Sequence, residues 1–443
     1  MNFDKIGLQV PEILLPAKDV DLHKWSVVAC DQYTSQPDYW SEVAKIAGEA
    51  PSTLKVIFPE VFLEDADGDQ RIASINSTMQ QYLDEDVLVP MTKPGFVLVD
   101  RKTSQAPSRK GLVVAIDLEH YDFNKGSQTL IRATEGTIVD RLPPRIKVRQ
   151  DAAIELPHIM VLIDDPQRTV IEPLFAKNPE PLYDFELMMD SGHIKGYAID
   201  TPELIGQVSD ALSHLADPQA FADKYNAQDR DVLLYAMGDG NHSLATAKAI
   251  WEKIKQDADD VQSVMANLAR YALVELVNIH DDGLQFEPIH RVIFNVNPAQ
   301  LLKDMQSHFN GQCKIVRCEN ETDMKSRAQA AAADSVHIVP FNDADGYGYI
   351  QINEPPYTLE LATIESFLND YLDQNGGKVD FIHGDEVVNE LGVKEGNMGF
   401  FFPPISKHSL FKTIIFDGAL PRKTFSMGEA DEKRFYLEAR KIK

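Results

Sequence analysis

Cysteine is scarce in this chain of 443 residues, which contains only Cys30, Cys313 and Cys318. Three scattered cysteines without a Cys-x-x-Cys pair argue against a disulfide framework. The sequence also has no run of about 18 apolar residues, the length that a membrane-spanning helix needs. Its first residues lack the apolar core of a secretory signal. We therefore expect a cytoplasmic protein without a membrane segment.

Basic residues are outnumbered, with 43 lysines and arginines against 69 acidic residues and a formal net charge of -26. Nucleic-acid binding needs a basic surface that neutralises phosphates, and anionic lipids attract the same kind of surface. The charge balance therefore predicts neither a nucleic-acid partner nor a membrane partner. A small molecule is therefore the expected ligand. The charge balance leaves the oligomeric state open.

Several catalytic signatures are missing. The twelve histidines never occur as His-x-x-x-His or His-Glu-x-x-His, so no zinc site is expected. The sequence has no Walker loop and no complete Gly-x-Gly-x-x-Gly fingerprint, and therefore no flavin or NAD motif. Because there is no Gly-x-Ser-x-Gly elbow and no placed cysteine nucleophile, acyl transfer by serine or cysteine is not predicted.

Apolar patterning predicts the α+β class. Alternating and β-rich runs dominate the first half and are typical of strands, with one helix at 70–83. The predicted strands of this half are 26–30, 54–58, 96–100, 112–118, 158–164, 169–174, 183–189 and 194–199. Thr201-Pro202-Glu203 is typical of a helix start. A strand at 232–237 and helices at 243–255 and about 259–269 follow.

The same pattern predicts a division into three parts. We expect a β-rich N-terminal domain (1–200), a central strand–loop–helix segment (201–295) and an α+β C-terminal domain (296–443). In the last part, runs typical of helices and strands alternate.

The most informative segment joins the strand 232–237 to the helix 243–255 through Gly238-Asp239-Gly240-Asn241-His242-Ser243. Glycines allow a sharp turn and the close approach of a ligand. The first turn of a helix carries free N–H groups and the positive end of the helix dipole, which favours an anion such as phosphate. A plain helix cap is the alternative, but a cap needs only one polar side chain and this turn has four.

A basic segment, 130–151, stands out from the acidic background. It contains Arg132, Arg141, Arg145, Lys147 and Arg149. Arg132 and Arg141 flank Glu135-Gly136-Thr137, and a turn there would aim guanidinium groups at a phosphate or carboxylate. The alternative is a solvated loop with surface ion pairs. The local positive charge favours an anionic small ligand.

Three further pairs are weaker candidates. Asp31 and Tyr33 follow the predicted strand 26–30, a position common at pocket rims. His290 and Arg291 lie at a predicted strand start, where a histidine can exchange protons near neutral pH. Asp164 and Asp165 are possible Mg²⁺ ligands beside phosphate oxygens. An ordinary turn is the alternative for Asp31 and for the Asp164-Asp165 pair.

The segment GDGNHSLATAK resembles the DGHHR-type motif of the prokaryotic family called domain of unknown function 1015. The segments VVACDQYTSQPDYW, RATEGTIVDR, VNIHDDGLQFEPIHRVI, MGFFFPPIS and LPRKTF extend the resemblance over nearly the whole chain. The motif is also similar, more remotely, to that of ParB/sulfiredoxin-like nucleotide-binding proteins, which include free serine kinases. That resemblance implies Asp239, Gly240, Asn241 and His242 at a phosphate, although Asn241 replaces the first His and Ser243 replaces the Arg.

These observations predict an enzyme that transfers phosphoryl between ATP or ADP and an amino acid such as serine, with Mg²⁺. Asp239 or Glu135 would hold Mg²⁺ or accept the hydroxyl proton, and His242 would donate to a phosphate oxygen. The predicted phosphate- or substrate-binding residues are Gly238, Gly240, Asn241, Ser243, Arg132, Arg141, Asp31, Tyr33, His290 and Arg291. A non-catalytic nucleotide or metabolite sensor is the alternative, favoured by Ser243 in place of an arginine clamp.

Overall fold

The structure, a computed structural model, describes residues 3–124, 126–177 and 180–443. The strands are β1 (Leu8–Gln9), β2 (Leu14–Pro16), β3 (Leu88–Pro90), β4 (Phe96–Lys102), β5 (Arg109–Asp117), β6 (Tyr121–Asp122), β7 (Ile131–Arg132), β8 (Ile154–Glu155), β9 (Met160–Ile163), β10 (Pro181–Glu186), β11 (His193–Ile199), β12 (Tyr235–Asp239), β13 (Tyr271–Asn278), β14 (Phe286–Phe294), β15 (Cys313–Cys318), β16 (Val336–Asp343), β17 (Gly346–Asn353), β18 (Lys378–His383), β19 (Asn397–Phe400), β20 (Phe425–Met427) and β21 (Arg440–Lys441).

The helices are α1 (Leu22–Trp25), α2 (Pro37–Ala47), α3 (Gly68–Asp84), α4 (Leu142–Arg149), α5 (Glu172–Phe175), α6 (Pro202–Leu215), α7 (Pro218–Tyr225), α8 (Asn241–Asp257), α9 (Val261–Val264), α10 (Pro298–His308), α11 (Glu321–Ala331), α12 (Glu360–Asn375), α13 (Asp385–Gly392) and α14 (Lys407–Phe416). The mixture of sheets and helices confirms the α+β class. Within the described ranges, none of the helices has the length and apolar character that a membrane span requires.

The chain forms two compact units. The first contains Met1–Gln285 together with Met427–Lys443, and the second contains Phe286–Ser426. Strands from the ranges 1–200 and 201–295 share the main sheet of the first unit, because β4 and β5 continue into β13, β9 and β12.

The main sheet of the first unit is mixed. Its strand order is β10-β11-β4-β5-β13-β9-β12-β7-β6, with β1 beside β5. Strand β9 runs parallel to β13 and antiparallel to β12, and β12 runs parallel to β7. The C-terminal end of β12 therefore lies beside the beginning of β9, since Asp239 pairs with Met160.

Both faces of this sheet are buried. Side chains alternate between the two faces along each strand. On one face Phe96 and Leu98 pack with Trp251 of α8, in a cluster that also includes residues of α6. On the other face Val97 and Val99 belong to a cluster that includes residues of α1, α2, α3 and the C-terminal segment. Because both faces are covered, residues 96–99 are all apolar and do not alternate with polar residues.

The predicted strands 26–30, 54–58 and 169–174 are wrong. Residues 26–30 form a single bridge, in which Val28 pairs with Phe435 of the C-terminal segment. Thr53–Lys55 is a 3-10 helix, and Glu172–Phe175 is a short α-helix. Short apolar runs are buried in all three places, and burial by itself does not distinguish a strand from a buried turn. The predicted helix at 259–269 is broken into α9 and a 3-10 helix at Leu268–Arg270.

The second unit has its own antiparallel sheet, in which the strands follow the order β15-β17-β16-β19-β14-β18. Adjacent residues of β14 face opposite sides. Ile293 belongs to a core that contains Leu301 of α10 and Ile364 of α12. Val292 belongs to a smaller cluster with Met324 of α11.

Candidate functional site

Helix α8 begins directly after the glycine-rich turn. Gly240 has a φ of 76°, in the left-handed region, and a Cβ there would lie 3.0 Å from Cα of Ile159. Both facts explain why this position needs glycine. The helix starts at Asn241, two residues earlier than predicted, so that Asn241, His242 and Ser243 form its first turn. Amide groups in a first turn have no acceptor within the helix.

Asp239 is tied to the turn and to a lysine from the C-terminal segment. Its Oδ1 accepts a hydrogen bond from the Gly240 amide at 3.0 Å. Its Oδ2 lies 3.3 Å from Nζ of Lys433, which is buried. These contacts stabilise the glycine turn and hold a positive charge next to it.

The loop at 135–138 closes over the start of α8. Nδ2 of Asn241 donates to the carbonyl oxygen of Glu135 and to Oγ1 of Thr137, both at 3.2 Å. The amide of Ile138 donates to Nε2 of His242 at 3.3 Å. Part of the predicted basic segment therefore does meet the glycine turn, although it does so through backbone and threonine groups.

Ser243 leads into a chain of hydrogen bonds that the sequence did not indicate. Its Oγ lies 2.9 Å from Nε2 of His158. Nδ1 of His158 lies 2.9 Å from the hydroxyl of Tyr436, which accepts from the Cys30 amide at 3.2 Å. Burial raises the pKa of Tyr436 well above its usual value, so its phenol stays protonated.

A cavity of about 140 Å³ opens beside this chain of hydrogen bonds. Ser243, His158 and Tyr436 lie in its wall together with Glu60 and Arg145. The rest of the wall contains Cys30, Arg149, Glu155 and Thr246 and the apolar side chains of Val56, Ile57, Phe58, Leu63, Met79, Val148, Ala152 and Leu156. A small cavity with apolar walls and a few convergent polar groups is typical of a ligand site.

Glu60 and Arg145 form an ion pair at the edge of this cavity, with Nη2 of Arg145 bonded to Oε1 of Glu60. Nη1 of Arg145 donates to the carbonyl oxygen of Arg141 at 2.8 Å. Burial raises the pKa of Glu60, the charge of Asp31 adds to this, and Arg145 opposes it. A raised pKa makes the carboxylate a stronger base than an exposed glutamate.

Asp31 follows Cys30, which lines the cavity, and Tyr33 lies two residues further along the chain. The effect of Asp31 on the pKa of Glu60 is electrostatic, and Oδ1 of Asp31 accepts from the side chain of Gln32 at 3.0 Å. Tyr33 has a φ of 51° and stacks on Tyr39 with 3.7 Å between the ring centroids. Neither Asp31 nor Tyr33 lines the cavity, and the ring of Tyr33 packs in an aromatic stack.

The structure does not place Arg132 at the glycine turn. Its guanidinium donates to the carbonyl oxygens of Thr129, Asp231 and Val232, at the beginning of β12. Gly240 follows the other end of that strand. Burial lowers the pKa of Arg132 to about 10. Arg141 is exposed just before α4.

Asp164 and Asp165 also lie at the far end of these strands, directly after β9. Asp164 is bonded to Tyr225 and lies 2.9 Å from Nζ of Lys224 and 2.6 Å from Nε2 of His280. Burial by itself would raise the pKa of Asp164, but these partners lower it. Asp165 accepts from the Val170 amide at 2.9 Å. Both carboxylates already have protein partners.

His290 and Arg291 belong to the second unit, on β14. The Phe402 amide donates to Nδ1 of His290 at 3.0 Å, and its Nε2 lies 3.0 Å from Oδ1 of Asp385. Burial lowers the pKa of His290, against the effect of Asp385. Arg291 is fully buried, and its Nε donates to Oε1 of Glu365 at 2.8 Å. These bonds hold elements of the second unit together.

Sequence reasoning missed Glu60, His158 and Tyr436. None of the three belongs to a motif or has a spacing that marks it. Ser243 and His158 are 85 residues apart, and His158 and Tyr436 are 278 apart. Two polar residues of the cavity did have a signal in the sequence, Ser243 in the glycine-rich turn and Arg145 in the basic segment.

Residues 14–369 match the family described as "Protein of unknown function (DUF1015)". The chain belongs to this family. The match confirms the resemblance inferred from the GDGNHSLATAK segment and its companions. No curated protein matches the chain. The remoter resemblance to ParB/sulfiredoxin-like proteins stays a prediction.

Solved structures show weak similarity. A free serine kinase in complex with AMP is 9% identical with a TM-score of 0.37, covering 74% of this chain and 92% of that chain. A conserved hypothetical protein from Pyrococcus furiosus is 10% identical with a TM-score of 0.34, covering 73% and 90%. SbnI with a C-terminal truncation, from Staphylococcus aureus, is 9% identical with a TM-score of 0.34, covering 71% and 82%.

Proposed function

We propose that this protein is an enzyme that transfers a phosphoryl group between a nucleotide, ATP or ADP, and the hydroxyl group of a small metabolite such as serine. The observation that carries this proposal is the cavity that joins the first turn of α8, at Ser243, to the Glu60–Arg145 pair. Phosphoryl transfer depends mainly on positioning and on charge stabilisation, and these groups supply both.

Glu60 is the proposed general base. Its carboxyl group lies in the cavity wall, and its raised pKa brings it closer to neutral pH. A base of this kind takes the proton from an attacking hydroxyl as the new oxygen–phosphorus bond forms. This role replaces the one predicted for Asp239, whose two oxygens contact the Gly240 amide and Lys433.

Arg145 is the proposed charge-stabilising residue. A guanidinium has five N–H donors, and the hydrogen bonds to Glu60 and to the Arg141 carbonyl use two of them. The remaining donors are suited to phosphate oxygens, which guanidinium groups bind in a bidentate manner. Arg145 thus takes the place that sequence reasoning gave to Arg132. The amides of the first turn of α8 add partial positive charge nearby.

The metal part of the sequence prediction has no support from these residues. Asp164 and Asp165 are bonded to protein groups and lie at the opposite end of β9 from His158. Among the described residues, no group of three or more His, Cys, Asp or Glu side chains is arranged to hold a metal ion. We therefore assign no step of the reaction to Mg²⁺.

The test is calorimetry and turnover with ATP, ADP, serine and phosphoserine, with Mg²⁺ in the buffer. We expect Glu60→Gln to lower kcat by about 100-fold or more, because it removes a general base, while ligand binding persists. Arg145→Met should weaken binding of the phosphorylated ligand. Matched controls are Glu64→Gln, an exposed acid four residues from Glu60, and Lys147→Met, an exposed cation on the same helix as Arg145.

The outcomes separate the hypotheses. Turnover that is lost in Glu60→Gln and kept in Glu64→Gln supports the proposal. A ligand that raises the melting temperature but stays chemically unchanged shows the alternative, a sensor. If the intact protein shows no ligand binding and no phosphate exchange, that result contradicts the proposed function.

A further inference from the structure

Ser243, His158 and Tyr436 are arranged as a nucleophile, a base and a group that orients the base. The hydroxyl oxygen of Ser243 is 2.9 Å from Nε2 of His158, within hydrogen-bond reach. Nδ1 of the same ring is 2.9 Å from the Tyr436 hydroxyl. Catalytic serines are recognised by this geometry of three groups and not by their order in the sequence.

Tyr436 is placed to select the tautomer in which His158 acts as a base. The fully buried phenol is neutral and accepts a hydrogen bond from the Cys30 amide at 3.2 Å. When the phenol proton points away from the imidazole, the phenol oxygen also accepts from Nδ1–H of His158. Nε2 then carries the lone pair and accepts the proton of the Ser243 hydroxyl. Tyr436 is in this way a positioning residue.

The cavity beside Ser243 has room for a short acyl group next to the serine hydroxyl. Its wall is mostly apolar, with Ile57, Phe58 and Val148 among the lining residues. The volume of about 140 Å³ matches a small substituent. Burying an acyl chain against these apolar side chains is favourable.

We infer that Ser243 is a nucleophile, with His158 as its general base, that reacts with short-chain acyl esters. Oγ of Ser243 attacks the ester carbonyl carbon and its proton passes to Nε2 of His158. The ester C–O bond breaks, and the same proton passes to the leaving alkoxide. His158 then takes a proton from water, the resulting hydroxide attacks the acyl carbon, and the acyl–Oγ bond breaks as His158 returns that proton to Oγ of Ser243 and the acid is released. This inference does not rest on the proposed phosphoryl transfer.

The inference departs from an expectation drawn from the sequence. The lack of a Gly-x-Ser-x-Gly elbow argued against a serine nucleophile, because an elbow is the local signal for one. Here the base comes from 85 residues upstream and the orienting phenol from the C-terminal segment. The three groups meet only through the pairing of β12 with β9 and the packing of residues 435–437.

The experiment treats the full-length chain with a fluorophosphonate and locates the adduct by intact mass and peptide mapping. We expect one adduct on Ser243 in the native protein and none at this site in Ser243→Ala. His158→Gln should slow labelling by about 100-fold or more. Tyr436→Phe should shift the pH dependence of labelling, because the ring loses its Nδ1 partner. Ser263→Ala, at an exposed serine, should label like the native protein.

A second assay identifies the transferred group. We expect hydrolysis of p-nitrophenyl acetate that Ser243→Ala abolishes, and no hydrolysis of p-nitrophenyl phosphate by the same route. The inference is overturned if a folded native protein gives no adduct at Ser243, or if Ser243→Ala hydrolyses the acetate at the native rate. If the acyl-transfer inference fails, the proposed phosphoryl transfer is unaffected, because it is tested separately by the turnover of ATP and serine in Glu60→Gln.

Discussion

Glu155 anchors the C-terminal end of the chain, and its replacement by glutamine provides a quantitative test of the structure. The side chain is buried on β8, which pairs with β21. Oε1 accepts from Nε of Arg440 at 2.8 Å and from the Leu273 amide at 2.9 Å, while Oε2 is bonded to Arg149. Glu155 thus holds two arginines from opposite directions.

The expected cost of Glu155→Gln is large. An amide keeps the shape of the side chain but removes the charge, which leaves the buried Arg440 without its counter-ion. Removing one partner of a buried ion pair costs about 3–5 kcal/mol. Since domains are stable by about 5–15 kcal/mol in total, this is a substantial fraction of the free energy of unfolding.

The pH dependence follows from the direction of the pKa shift. Burial by itself would raise the pKa of Glu155, but Arg440 and Arg149 outweigh it and lower the pKa below 4.5. A carboxylate with a lowered pKa stabilises the fold above the pKa of the unfolded chain and loses this contribution as the pH falls through the folded value. The difference between the native protein and Glu155→Gln should therefore shrink below about pH 4.5.

Urea unfolding followed by tryptophan fluorescence measures this difference. All three tryptophans, Trp25, Trp40 and Trp251, are buried in the first unit, so the signal reports the unit that contains Glu155. The matched control is Asp151→Asn, an exposed acid near Lys443, which should change stability by less than about 0.5 kcal/mol. A loss below about 1 kcal/mol in Glu155→Gln, or a difference that grows in acid, would refute the reasoning.

Two further predictions concern the site. Gly240→Ala should destabilise the first unit by about 2 kcal/mol or more, because the left-handed φ of 76° is unfavourable for alanine and the added Cβ would contact Ile159. Urea unfolding measures this loss of stability. A change below about 0.5 kcal/mol would contradict the turn geometry. Arg132→Met should cost about 1–3 kcal/mol, since three carbonyl groups lose their donor. Ligand binding by calorimetry should stay unchanged in that variant, and a weakened affinity would return Arg132 to the site.

Local patterns were enough for many individual elements. The short apolar runs at 96–100 and 112–118 predicted strands that the structure confirms, and Thr201-Pro202 marked the start of α6 correctly. The glycine turn before α8 was also visible in the sequence. Each of these depends on neighbouring residues only, through side-chain period, capping or backbone freedom.

The strands predicted at 26–30 and 54–58 failed for a related reason. Their apolar residues are buried, but the residues that bury them come from elsewhere in the chain. Val28 pairs with Phe435, and Thr53 donates to the carbonyl oxygen of Trp25 at 2.8 Å. Local sequence records that such a segment is buried, and it does not record which partner covers it.

The sequence by itself determined the family of this protein, the α+β class and the polar glycine turn at the start of α8, because all of these are written in contiguous segments. Only the tertiary structure decided what surrounds that turn. Strand pairing turned Arg132 and Asp164 toward the far end of the sheet and brought His158 and Tyr436 to Ser243. The physical reason is that a site is assembled by contacts between residues far apart in the chain. Hydrogen bonds between such residues do not require any fixed spacing in the sequence, so no local pattern reveals them.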